Sequence, residues 1–190
     1  MNGLDYSAGC VNFRDVGEFI HVFSGQDWLP SGRLLRGGKL EFVSTPAEIG
    51  SPGTILNLRT GRDPRQLAGV TLHFPTDNVP EVYDTGGREM KRWLRTVVAA
   101  FQDALDDPVM VHCTSGEDRT GVVVAALLHV LGVPHALIVE EYLFSDGEIH
   151  AEWIEQALTG IGSTESYFCG LDLASIRTKL RGPPNELSPT

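Results

Sequence analysis

The stretch Val109-Met110-Val111-His112-Cys113-Thr114-Ser115-Gly116-Glu117-Asp118-Arg119-Thr120-Gly121-Val122-Val123-Val124 decides the fold. Val109–Val111 is a short, fully apolar run, which reads as a central strand buried on both faces. His112 to Arg119 is small and polar and turns the corner. Thr120 to Leu131 is an apolar helix, stopped by Gly132 and followed by Pro134. A buried strand thus runs through a tight loop into a buried helix.

The period changes upstream of this unit. Met90, Trp93, Leu94, Val97, Val98, Phe101 and Leu105 fall at helical spacing, so an amphipathic helix runs from Arg88 to Leu105 and ends at Asp106-Asp107-Pro108. The first 60 residues read as strands and loops: Arg33–Arg36 and Thr54–Leu58 are short apolar pieces between Gly, Pro and Ser. Val70–Phe74 is another strand, and Thr76 to Gly87 a loop. Downstream, Pro134 opens a helix reaching Ser145, Glu148–Leu158 is a further helix, and Leu173–Leu180 a last one. Trp28, Trp93 and Trp153 are expected in the core. Strands first and helices last, around one helix–strand–turn–helix unit, imply an α/β fold with helices packed on a sheet. No linker marks a second domain, so residues 1–182 are expected as one domain and the tail 183–190 as disordered.

Composition narrows the partners. The net charge is −10, with an acidic pI near 4.9. That disfavours nucleic acid and anionic membranes, which both need a positive field. The longest apolar run, Val122 to Val133, is too short to span a bilayer. Most of the 15 basic residues are arginine, the better bidentate ligand for phosphate. The three cysteines, Cys10, Cys113 and Cys169, show neither CxxC nor metal-ligand spacing, so no disulfide scaffold, no metal and no cofactor is expected. The N-terminus carries no basic and apolar leader pattern, which points to the cytoplasm. No signal of oligomeric state is present.

The strand–loop–helix unit carries the chemistry. It gathers unpaired backbone N–H groups around one point, at the positive end of a helix dipole, where an anion of phosphate size fits. Thr114, Ser115, Gly116, Glu117, Asp118 and Arg119 would form that cradle. Gly116 supplies the backbone freedom such a turn needs, and Arg119 can place two N–H donors on phosphate oxygens. The same field favours the thiolate of Cys113, the form that attacks phosphorus to give a phosphocysteine. Thr120 is placed to donate to the sulfur when it leaves. His112 would orient the loop by hydrogen bonds.

His-Cys, five residues, then Arg-Thr-Gly resembles the signature of the protein tyrosine phosphatase superfamily. HCTSGEDRTG is most similar to the loop HCxxGKDRTG of bacterial and fungal tyrosine/lipid phosphatases. Asn12-Phe13-Arg14-Asp15-Val16-Gly17 resembles that family's NFRDxG, and Leu35-Arg36-Gly37-Gly38-Lys39-Leu40 its LYRSGxL. Leu56-Asn57-Leu58-Arg59 is similar to its DLR strand end. Glu141-Tyr142-Leu143-Phe144-Ser145 resembles DYLxS, and Gly162-Ser163 with Tyr167 resembles GSxxxYL. The resemblance implies a cysteine-phosphatase-like fold, with a central mixed sheet of four to five strands flanked by helices. It implies hydrolysis of phosphate monoesters on Cys113, foremost protein phosphotyrosine, with dual specificity within its range. Partners would be a phosphorylated protein or a small phosphate monoester. Arg14, Arg36 and Arg59 would brace the site.

The general acid has two candidates. Asp118 lies inside the loop, next to the reacting centre; Asp77 lies where many relatives carry a movable acid loop. Asp118 is the first choice, and Asp84 a distant third. As structural residues, Asp118 would brace the loop and Asp77 would cap a turn. Two departures stand out: Glu117 replaces the family's lysine and should repel a polyanion or pair with an arginine, and Asn57 replaces the aspartate of DLR. Arg62 and Arg65 read as solvated loop residues, and His21, His73, His129, His135 and His150 carry no ligand spacing. The alternatives are a phosphoinositide or inositol phosphate phosphatase and, behind it, a silent phosphate-binding module. Intact Cys113 and Arg119 argue against the module. A sulfurtransferase or arsenate reductase with a similar loop fits less well, because no second redox cysteine is evident.

Overall fold

A computed structural model describes Leu4, Ser7, residues 9–103, Leu105 and residues 107–182. The tail 183–190 lies outside the described residues. Among the described residues, five strands form one mixed sheet: β1 (Arg14–Asp15), β2 (Leu34–Gly37), β3 (Thr54–Asn57), β4 (Val70–His73) and β5 (Val109–His112), in the order β1-β2-β5-β3-β4. Only β1 is antiparallel to its neighbour. β5, the apolar run read as central, sits between β2 and β3, where strand order reverses; in parallel sheets the carboxyl ends at such a point open a binding crevice.

Side chains alternate across this sheet. Leu35, Ile55 and Met110 share a register row and point into a small core with Leu40, Val43, Ile49 and Leu67. Leu34, Leu56, Val109 and Val111 point the other way, into the larger core that the helices cover. Arg36 pairs with Val111 in register and so faces the helices as well.

The helices are α1 (Val16–Ser24), α2 (Arg88–Ala99), α3 (Asp118–Leu131), α4 (His135–Leu143), α5 (Ala151–Ile161), α6 (Thr164–Tyr167) and α7 (Leu173–Arg181). α3 is apolar on every side because it is packed on every side, by α2, α4, α5 and α7. Gly121 lets Tyr142 of α4 lie against it: a Cβ there would come within 2.7 Å of the ring.

Several sequence expectations need correction, among them α4, which runs from His135 to Leu143 and not from Pro134 to Ser145. The first 60 residues contain α1, not strands and loops only. Val16, Phe19, Ile20 and Phe23 are spaced for one helical face, and the Asp15 carboxylate caps it by accepting from the Gly17 and Glu18 amides. The segment Thr76 to Gly87 holds a 3₁₀ turn at Pro80–Tyr83, which buries Val82 and Tyr83. α2 ends at Ala99 and tightens into a 3₁₀ turn over Ala100–Gln102. α5 begins at Ala151 and reaches Ile161, so the expected span 148–158 is shifted.

Candidate active site

The site begins at the carboxyl end of β5. His112 stands in register with Gly37 of β2 and Asn57 of β3, so two neighbouring strand ends flank the loop that follows. Gly116 has φ +76, and a Cβ on it would come within 2.6 Å of the Gly37 backbone. Only glycine permits both the dihedral and the approach.

The loop carbonyls are tied outward one by one. Lys39 N donates to Thr114 O at 2.9 Å, Asn12 Nδ2 to Ser115 O at 2.9 Å, and Arg36 Nη2 to Gly116 O at 2.7 Å. Gly121 N donates to Glu117 O at 2.7 Å. Among the described residues, none of the amides of 114–117 donates to a backbone carbonyl. Loop amides without a backbone acceptor are the kind of donors an anion nest draws on. Cys113 is buried.

Arg119 lies in the first turn of α3, which starts two residues earlier than its apolar pattern suggested. Its Nη1 donates to Thr76 O at 3.0 Å and more weakly to Leu58 O at 3.4 Å, and its Nη2 to Thr114 Oγ1 at 3.0 Å. Its Nε is buried without a partner among the described residues. The outer nitrogen is thus anchored, while the Nε–Nη2 edge keeps an unspent donor for an oxyanion. Among the described residues, Thr120 Oγ1 is also buried without a partner, and orphaned buried hydroxyls are uncommon.

The braces form two groups. Glu141 of α4 accepts from Arg36 Nη1 at 2.5 Å and Arg14 Nε at 2.8 Å, and Ser145 Oγ accepts from both arginines. Arg36 is fully buried and Glu141 is 1% exposed. Burial, followed by the positive charge of Arg36, pulls the Arg14 guanidinium down to about 10. The second group is Asp63, whose Oδ2 meets His112 Nε2 at 3.0 Å, with Arg59 3.7 Å from its Oδ1. Arg59 also pairs with Glu41 at 2.6 Å. Asn57 takes over the strand-end support: its Oδ1 accepts from Arg59 N at 2.8 Å and its Nδ2 donates to Gly61 O. Arg65 is no idle surface residue, since it donates to Glu41 O and Val43 O.

The structure separates the acid candidates. Asp118 opens α3 beside the cradle, and Tyr83 donates to its Oδ1 at 2.6 Å. Tyr83 has one proton and spends it there, so Tyr142, 2.7 Å away, must donate to Tyr83. Burial, together with the Asp118 carboxylate, pushes the Tyr83 hydroxyl pKa well up; burial takes Tyr142 up to about 12. Both therefore stay protonated donors at neutral pH. Asp77 is exposed, in a groove shared with Val79, Glu81 and Arg88. Its link to the site is through Thr76, whose carbonyl holds Arg119. Asp84 accepts from Gly87 N and shapes the entry to α2.

Glu117 does not put its side chain into the cradle. The residue is 9% exposed, and its carboxyl packs on Gly147, where a Cβ would meet Oε2 at 2.0 Å. Burial, then the charges of Asp118 and Glu148, push its pKa up to about 7, against the pull of a Ser115 hydrogen bond and Arg36. The expected arginine pairing is therefore only a field from Arg36. Cys10 lies against Gly37, and burial pushes its thiol up to about 12. Among the described residues, no group of three or more His, Cys, Asp or Glu is placed to hold a metal ion, and no helix is long and apolar enough to cross a membrane.

Roles for Asn12, Asp63, Tyr83, Glu141, Tyr142 and Ser145 escaped the sequence reading. Asn12, Glu141, Tyr142 and Ser145 stood inside recognised motifs without an assigned part. Tyr83 and Asp63 had no local signal.

A family model described as "Tyrosine phosphatase family" matches residues 6–176. A "Tyrosine-protein phosphatase" of Nostoc commune is 33% identical over 85 residues, 45% of this chain and 29% of that protein. The "Triple specificity protein phosphatase PtpB" of Mycobacterium tuberculosis (strain ATCC 25618 / H37Rv) is 31% identical over 93 residues, 49% of this chain and 32% of that protein. The matched stretches thus span about a third of those relatives' own length. The crystal structure of P. aeruginosa TpbA aligns with a TM-score of 0.45 at 18% identity, over 79% of this chain and 87% of that one.

Proposed function

This chain belongs to the tyrosine phosphatase family, and from that premise we propose that it hydrolyses phosphate monoesters through a phosphocysteine on Cys113, with protein phosphotyrosine as the main substrate. The observation that carries this is the loop itself: outward-tied carbonyls, Cys113 at the base, and an Arg119 edge with a spare buried donor.

The Cys113 thiolate attacks phosphorus as the bond to the leaving oxygen breaks. The loop amides and the Nε–Nη2 edge of Arg119 hold the equatorial oxygens, whose charge grows towards the transition state. Tyr83 holds Asp118 by Oδ1, so Oδ2 delivers the proton to the leaving oxygen. In the second step Asp118 takes a proton from water, water attacks phosphorus, and the S–P bond breaks. The unpaired Thr120 hydroxyl donates to the departing sulfur. Arg14, Arg36, Glu141, Asp63 and His112 act by holding the loop.

The test is phosphate release from phosphotyrosyl peptides, phosphoseryl peptides and inositol phosphates. Wild type is expected to turn over the first, and Cys113→Ser to lose turnover while still binding inorganic phosphate. Arg119→Lys should lose most activity, because an ammonium cannot make the forked contact. Wild-type-like turnover by Cys113→Ser would refute the assignment.

A further inference from the structure

Half of the exposed large apolar side chains among the described residues meet in one groove beside α1. Phe13, Val22, Phe23 and Phe144 line it, at 37%, 70%, 53% and 61% exposure, with the buried Phe19 and Leu35. The groove encloses about 600 Å³. Three of its rings pack on one another. Phe19 and Phe23 stack with centroids 4.2 Å apart, and Phe144, just after α4, stands 5.2 Å from Phe19 and 6.1 Å from Phe23. The charged side chains that line it are Arg14, Asp15 and Glu18. Arg14 is already committed: it pairs with Glu141, donates to Ser145 and lies 5.7 Å from the centre of the Phe144 ring. Asp15 accepts from the amides of Gly17, Glu18 and Gly32, none of which cancels its charge. Glu18 is exposed.

We infer that this groove docks a segment of a partner protein that presents apolar or aromatic side chains together with a lysine or arginine. Single exposed apolar residues are ordinary, whereas a contiguous set marks a surface that something covers. The rings already order one another, so binding them costs little side-chain entropy. An amphipathic helix lays its apolar anchors into a groove of this kind. Charge chooses among the occupants. The lining charge left uncompensated is that of the Asp15 and Glu18 carboxylates, in a chain of net charge −10. It calls for a cation, which the exposed faces of Phe23 and Phe144 also attract. A second copy of the chain would set the same carboxylates, and another −10, against them. An anionic bilayer would be repelled in the same way. The inference does not depend on the reaction at Cys113, but the surface adjoins the brace of that loop. Arg14 lines the groove and shares Glu141 with Arg36, which donates to Gly116 O.

The experiment pans a phage-displayed library of random peptides on the full-length protein, then titrates synthetic copies of the enriched peptides by fluorescence anisotropy. Enriched peptides are expected to combine aliphatic or aromatic residues with Lys or Arg. Phe23→Ser should weaken them by about tenfold, as loss of a central aromatic anchor does. Glu18→Lys should weaken them by about threefold, because a rim charge contributes less than an apolar anchor. Circular dichroism should match wild type in both. Phe23 stacks on Phe19, so if Phe23→Ser fails to fold, Val22→Ser at its more exposed position takes its place, with the same direction of loss expected. No enrichment, acid-rich peptides, or peptides that bind the folded variants as tightly as wild type would overturn the docking surface. Sedimentation of the protein alone and flotation with phosphatidylcholine vesicles test the other occupants. A wild-type dimer that Phe23→Ser or Val22→Ser dissociates would give the groove to a second copy, and vesicle binding lost in the same variant would give it to lipid. Either result overturns the assignment to a basic partner segment.

Discussion

Replacing Glu117 by Gln gives a sharp physical test of the loop. Its carboxyl sits at about 7 when folded, against 4.5 as the ordinary value. The folded form holds the proton more tightly, so stability falls as pH rises between those values. The contribution of the protonated carboxyl is fully present below the unfolded pKa and is lost as pH passes through the folded one. At about 1.36 kcal/mol per pKa unit, the loss is about 3 kcal/mol. Glutamine keeps the shape and carries no charge. Glu117→Gln should therefore gain on wild type by about 3 kcal/mol between about pH 4.5 and above pH 7, or about 6–12 °C in Tm for a domain of this size. Urea unfolding followed by circular dichroism at about pH 5, 6, 7 and 8 gives the difference directly. The readout is its change with pH, which removes any constant offset between Gln and a protonated Glu. Parallel stability curves would refute the raised carboxyl. A variant that loses ground as pH rises would show that the ionised carboxylate is favourably paired.

Asp118→Asn should slow substrates with poor leaving groups by about 10²–10⁴ relative to good ones, read as a steeper dependence of kcat on the leaving group. Asp77→Asn is the control, and finding that pattern there instead would move the acid to the exposed loop. Glu141→Leu leaves Arg14 and Arg36 unpaired in the interior and should cost about 3–5 kcal/mol in urea unfolding; a loss below 1 kcal/mol would show that water or backbone carbonyls replace it. Hydrolysis of an aryl phosphate should survive excess chelator, because the cradle supplies its own positive charge; loss of activity restored by a divalent cation would refute the thiolate mechanism.

Much of this site was legible because it is local in the chain. Strand, loop, nucleophile, glycine and arginine occupy Val109 to Thr120, so apolar periodicity and the identities of Cys113, Gly116 and Arg119 suffice to predict a nest at a helix start. α3 was legible for the same reason, its apolar run and Gly132 being local signals. α1 was also local in principle: its four-residue apolar spacing was hidden behind the short strand pieces around it. α5 was displaced because nothing in Glu148–His150 distinguishes a loop from a first turn.

The local sequence specifies the strand–loop–helix corner at the centre, since its apolar strand, its glycine turn and its apolar helix lie within one short stretch that also carries a thiol and a guanidinium. Tertiary structure decided everything that acts on that centre from a distance. Arg36 finds Glu141 across 105 residues and Asn12 finds Ser115 across 103. Tyr83 reaches Asp118 because a 3₁₀ turn folds it under α3. Which carboxyl is held beside the loop, and which is raised by burial, depends on packing, solvent exclusion and neighbouring charge. All are properties of the packed interior, and no residue carries them in its own identity.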